Sequence, residues 1–139
     1  MTAKEYLSQA FHLDQRINSK LEILANMKEM ATRTTRIMRD DVVSHTRNDH
    51  AFENTIIKIV DMQNEINADI DKLVDKKQEI IRTIYSVENL EHQVLLEARY
   101  ICFRNWEDIA EQMHCTVSNL FKMHAKALKS VVVPKIDEK

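Results

Sequence analysis

From His114 to Ile136 the chain carries four formal charges, and all four are lysines: Lys122, Lys126, Lys129 and Lys135. The chemistry open to such a run is phosphate contact. An ammonium beside a nucleic-acid phosphate displaces a condensed counterion, whereas a carboxylate there would repel the same backbone. The local acids stand just upstream instead, at Glu107, Asp108 and Glu111. Acids early in a helix suit its dipole. In a chain of formal net charge −2 at pH 7, a basic stretch of this kind is the footprint that contact with double-stranded DNA needs.

Two short helices must position these lysines. Trp106, Ile109, Ala110 and Met113 fall three and four apart and share one helical face. A polar break follows, His114-Cys115-Thr116, after which Leu120, Met123, His124, Ala127 and Leu128 recur at the same spacing. Thr116 is a natural N-cap for the second helix. Helix, short break and a second helix with polar and basic residues outside form the helix-turn-helix pattern, whose second helix enters the DNA major groove. An ordinary helical hairpin inside a bundle produces the same spacing, and the charge sorting favours the DNA-binding reading.

Other chemistries find less support. Cys102, His114, Cys115 and His124 match no standard zinc-ligand spacing, and adjacent His114 and Cys115 sit awkwardly for one tetrahedral ion. No Ser-His-Asp or paired-carboxylate spacing rises above chance, so no catalysis, metal or cofactor is expected.

The whole chain has 139 residues, no glycine and one proline, Pro134. An average chain of this length would hold about ten glycines. Tight hairpin turns, Gly-rich phosphate loops and dinucleotide fingerprints are thereby disfavoured, and nothing upstream of Pro134 breaks a helix. The fold expected is all-α with long helices. Cys102 and Cys115 form no Cys-x-x-Cys pair and read as reduced thiols. The opening MTAKEYLSQAF lacks the pattern of a signal peptide, and no apolar run reaches the length of a membrane span. A cytoplasmic protein is expected.

Residues 1–87 read as an antiparallel, coiled-coil-like helical hairpin. Thr2-Ala3-Lys4-Glu5 is a capping box, and the first helix is expected to run unbroken to about Met38. Ala3, Ala10, Ile17, Leu24, Ala31 and Met38 step by seven, with Tyr6, Leu13 and Met27 in a second row that Lys20 and Thr34 interrupt. Arg33, Arg36 and Arg39 form a basic stripe suited to a helix C-terminus. Residues 40–50 lose the periodicity and read as the loop. From about Ala51 to Val87, a helix of about 54 Å, Phe52, Ile59, Ile66, Leu73, Ile80 and Val87 keep the seven-residue step. Ile56, Ile70 and Ile84 fill its second row, with Gln63 and Lys77 between them. An intermolecular coiled coil is the rival arrangement. Residues 88–139 form the second domain: a helix capped by Asn89, then the helix-turn-helix and a short tail.

The segment ENLEHQVLLEARYICFRNWEDIAEQMHCTVSNLFKMHAKALKS, residues 88–130, resembles region 4 of sigma-70-type RNA polymerase factors. The resemblance lies in Arg99-Tyr100, in Trp106 with Ile109-Ala110, in the cap Thr116 and in the closing Ala127-Leu128-Lys129. The full chain, including MTAKEYLSQAFHLDQRINSKLE, resembles small proteins of prophages and mobile elements in Gram-positive bacteria, relatives of phage late-operon transcriptional regulators. The resemblance implies a recognition helix over residues 117–130, with Leu120, His124, Ala127 and Leu128 inward and Ser118, Asn119, Phe121, Lys122 and Lys126 outward. It implies adenine reading by Asn119, a base-edge or phosphate contact by Ser118, packing of Phe121 on a thymine methyl, and phosphate contacts by Lys122 and Lys126. Thr116 would cap the helix and present its N-terminal amides to a phosphate; for Phe121, burial against the first helix competes. Expected partners are double-stranded DNA, RNA polymerase and a second copy through the hairpin, with no membrane. The alternative is a non-enzymatic adaptor that binds polymerase or a host factor without DNA. One position departs from the pattern: the turn residue that is usually glycine is His114. Positive φ is harder for His than for Gly, so the turn is either slightly strained or built differently.

Overall fold

The computed structural model describes the backbone of residues 1–40 and 45–134 and the side chains of residues 1–33 and 50–134. Among them are six helices and no strand: α1 (Ala3–Leu7), α2 (Gln9–Asp40), α3 (His45–Tyr85), α4 (Leu90–Tyr100), α5 (Trp106–Gln112) and α6 (Val117–Ser130). The protein is all-α, and no helix among the described residues is long and apolar enough to cross a membrane. The side chains of Thr34, Arg36, Met38, Arg39 and Lys135, which figured in the expectations above, lie outside the described residues, as does the backbone of 41–44.

Two compact units are present. One is Asp14–Lys72; the other joins Met1–Leu13 to Leu73–Lys139. In the first, α2 and α3 bury the seven-residue rows at Ile17, Leu24 and Ala31 and at Ile59 and Ile66. Lys20 Nζ reaches Asp69 Oδ2 at 2.5 Å and Glu65 Oε2 at 3.7 Å. The Lys20 hydrogen bond holds the Asp69 carboxyl below the usual carboxylate range, overriding its partial desolvation. A bond between residues 49 apart in one chain, each some twenty residues from the α2–α3 connection, makes this an intramolecular antiparallel hairpin. Lys20, an interruption in the apolar row, is an ion-pair partner across the hairpin.

In the second unit the capping box forms as expected: the Glu5 amide donates to Thr2 Oγ1 at 3.2 Å and the Thr2 amide to Glu5 Oε2 at 3.1 Å. The first helix is not continuous, however. It breaks at Ser8, whose hydroxyl donates back to the Lys4 carbonyl at 2.7 Å, a bond that competes with the helical ladder and bends helices. Tyr6, Leu7 and Ala10 are fully buried. The Tyr6 hydroxyl donates to Glu79 Oε1 and meets Thr83 Oγ1 on α3. The Gln93 side-chain amide donates to the Val87 and Tyr85 carbonyls, satisfying acceptors at the end of α3.

Two further expectations need correction. The loop placed at 40–50 is too long: residues 45–50 are already helical, since a stretch without apolar periodicity still propagates a helix when no Gly or Pro interrupts it. The second apolar row of α3 is not buried throughout. Ile84 is fully buried, but Ile56 and Ile70 are exposed, and Asp69, the residue that answers Lys20, lies inward beside the Ile66 row instead.

Candidate nucleic-acid interface

The outward face of α6 is held by three helices. Asn89 caps α4, its Oδ1 accepting from the Glu91 and His92 amides at 2.9 and 3.3 Å. Asn105 caps α5 by accepting from the Asp108 amide at 2.8 Å, a cap that sequence reading missed although an Asn directly before the first apolar position signals it. Thr116 caps α6 by accepting from the Asn119 amide at 3.1 Å. Leu95 and Ala98 of α4, Ile109 and Ala110 of α5 and Leu120 of α6 form one buried cluster, with Trp106, Met113, Cys115, Val117 and Met123 packed against it.

The α5–α6 turn resolves the alternatives at His114. Its φ is 54°, the left-handed conformation that glycine would take freely. The His114 amide donates to the Glu111 carbonyl at 3.2 Å and the Cys115 amide to the Ala110 carbonyl at 3.0 Å. These two bonds are the Schellman pair that ends a helix through a left-handed residue, so the turn has the geometry expected of glycine, strained by a side chain. A second left-handed residue, Phe103 with φ 56°, lies between α4 and α5, where the Arg104 amide reaches back to the Ala98 carbonyl at 3.0 Å. Sequence gave no sign of it.

Along α6, Leu120, His124 and Ala127 are buried and Leu128 is half-buried, whereas Ser118, Asn119, Lys122 and Lys126 are exposed, as is the cap Thr116. Phe121 falls between the two expectations: it is 49% exposed, with its edge on the Trp106 ring at 5.1 Å and 77°. Trp106 also carries the Arg99 guanidinium over its face at 4.6 Å and the His124 ring at 4.7 Å. Beneath the helix, Tyr100 Oη and His124 Nε2 meet at 2.6 Å. Burial, with help from the Lys4 and Arg99 charges, pushes the His124 imidazole down to about 4. Burial pushes the Tyr100 hydroxyl up to about 12. Both are therefore neutral at pH 7, so a proton on one meets a lone pair on the other.

His124 is thus engaged as a core polar partner, while Cys102 is exposed and Cys115 sits in the turn. Among the described residues no group of three or more His, Cys, Asp or Glu side chains is placed to hold a metal ion.

Fold and surface together define an all-α protein whose C-terminal three helices present one polar, acid-free helical face. The chain belongs to the family described as "Protein of unknown function (DUF1492)", whose family model matches residues 34–131. No curated protein and no solved structure matches it significantly.

Proposed function

We propose that this chain is a phage or prophage DNA-binding transcriptional regulator. It docks α6 in the major groove of promoter DNA as the recognition helix of a sigma-region-4-like helix-turn-helix, and it catalyses no reaction. Its hairpin serves self-association or contact with RNA polymerase in the bacterial cytoplasm. One observation carries the reading: α6 buries Leu120, His124 and Ala127 while exposing Ser118, Asn119, Lys122 and Lys126, with no acid on the helix. That face combines the two ingredients of groove recognition. Lysines supply phosphate affinity, and an Asn and a Ser supply donors and acceptors for base edges. The resemblance of residues 88–130 to sigma region 4 supports the same docking.

The second reading is the adaptor, which binds polymerase or a host factor without DNA. It is favoured by the exposed acids Glu107, Asp108 and Glu111 on the neighbouring α5. Residues 88–139 also hold eight acids against seven lysines and arginines. Selection of bound sequences from a random duplex pool separates the two. Recovery of a motif supports the regulator; absence of enrichment at low salt leaves the adaptor.

A further inference from the structure

α3 carries a second apolar stripe that α2 does not cover. Ile56, Val60, Gln63, Asn67, Ile70 and Val74 alternate steps of four and three residues, the spacing of a coiled-coil seam. At about 100° per residue they centre about 80° around the helix from the buried Ile66 row. Ile56, Val60, Ile70 and Val74 are 40, 46, 39 and 48% exposed, and all are β-branched apolar residues on a face where a solvated helix normally places charges.

The spacing of the six positions is symmetric about residue 65, and each position pairs with one of the same character, apolar with apolar and amide with amide. Laid against a second copy running the opposite way, Ile56 meets Val74, Val60 meets Ile70, and Gln63 meets Asn67, each pair occurring twice. Every apolar layer then holds one isoleucine and one valine, and the central layers match amide with amide. The next layer outward brings Glu53 opposite Lys77. Lys77 lies at that end of the stripe, with its ammonium over the Phe103 ring of its own chain at 4.6 Å. A parallel pair would instead set Glu53 against Glu53 and Lys77 against Lys77. We infer that this stripe is the dimer interface of the protein, formed by α3 packing antiparallel on α3 of a second copy about a two-fold axis between Gln63 and Asn67. The inference deepens the self-association role proposed for the hairpin, and it stands independently of whether α6 binds DNA.

The full-length protein should sediment at twice its 16.4 kDa chain mass at micromolar concentration. Val60→Glu alone, or Ile70→Lys alone, should weaken dimerisation about a hundredfold or more, because each leaves unpaired charges in two apolar layers. Helix content should not change, since both positions are exposed in the monomer. The double variant Val60→Glu with Ile70→Lys should regain the dimer, because antiparallel pairing sets each new acid against a new base. In a Cys102→Ser, Cys115→Ala background, Gln63→Cys with Asn67→Cys should oxidise to a covalent dimer far faster than either cysteine alone. A clean monomer overturns the proposal, and so does a dimer that the charge swap fails to rescue or that links as readily through position 63 alone. DNA selection repeated with the Val60→Glu variant separates failure here from failure of the DNA-binding reading.

Discussion

Two residues on one helix should respond differently to loss. Lys122 offers a point charge, so Lys122→Ala should weaken binding to all duplexes alike and lower the salt slope by about one. Asn119 offers a donor and an acceptor, so Asn119→Ala should lose about 1–3 kcal/mol on the selected site and little on random DNA. Isotherms on both duplexes at two salt concentrations check this, and unchanged binding in both variants would favour the adaptor. His124 supplies a stability prediction. Its folded pKa of about 4 lies below its ordinary 6.5, so the unfolded chain takes up the proton first. The stabilisation is complete above the ordinary value and is lost as pH falls toward the folded one, about 2 kcal/mol between pH 7 and pH 5. Urea unfolding at the two pH values should show that loss, and His124→Gln should flatten it. At this scale the outward set of α6 was legible, because helical period alone assigns faces. The Tyr100–His124 bond was not, because its partners lie 24 residues apart and only the packing of α4 on α6 joins them.

The helices were legible wherever a cap or a heptad marked them. Thr2, Asn89 and Thr116 each start a helix as expected, and the Ile59–Ile66 row is buried. What periodicity could not supply was which row lies inward: Asp69 is buried where Ile70 is exposed. The difference is measurable: Ile66 is 4% exposed and Ile70 39%. Ile66→Ala should cost about 2–5 kcal/mol of stability in the cavity it leaves. Ile70→Ala should cost well under half of that when dimerisation is suppressed, for instance in the Val60→Glu background. Urea denaturation of both variants tests the assignment. The α5–α6 turn allows a change in the other direction. His114 holds φ 54° with the Schellman bonds in place, so His114→Gly should stabilise by about 1 kcal/mol. A lower melting temperature in that variant would mean that the His114 side chain makes a contact worth more than the strain.

For the molecule as a whole, the glycine-free composition was enough to identify an all-α chain, since it removes the turn chemistry that sheets depend on. Composition could not show that α1 packs on α6 and so gathers the first thirteen residues into one compact unit with α4–α6. That contact brings α1 against a helix more than a hundred residues further along the chain. It also predicts that removing residues 1–8 lowers the melting temperature of the α4–α6 unit, because Tyr6 and Leu7 are among the largest fully buried side chains. Pairing through α3 adds a concentration test. If folded copies associate, the melting temperature should rise with protein concentration, and in the Val60→Glu variant it should not.

The Lys20–Asp69 pair matters beyond the bond itself. The buried row of α3 repeats every seven residues with interchangeable Ile and Leu (Ile59, Ile66, Leu73, Ile80), so a heptad slide would set the residues of α2 against much the same apolar surface. The sequence therefore contains several almost degenerate misalignments. Charge removes them: a slide one way sets Lys20 against Lys72 and Lys76, and a slide the other way sets it against Lys58 and Met62, while the native alignment alone offers Glu65 and Asp69. A single ammonium thus selects one minimum among equivalents that greasy contacts cannot rank. Lys20→Met should leave helix content intact and yet yield an ensemble, visible as doubled amide resonances along α3 and a broadened unfolding transition.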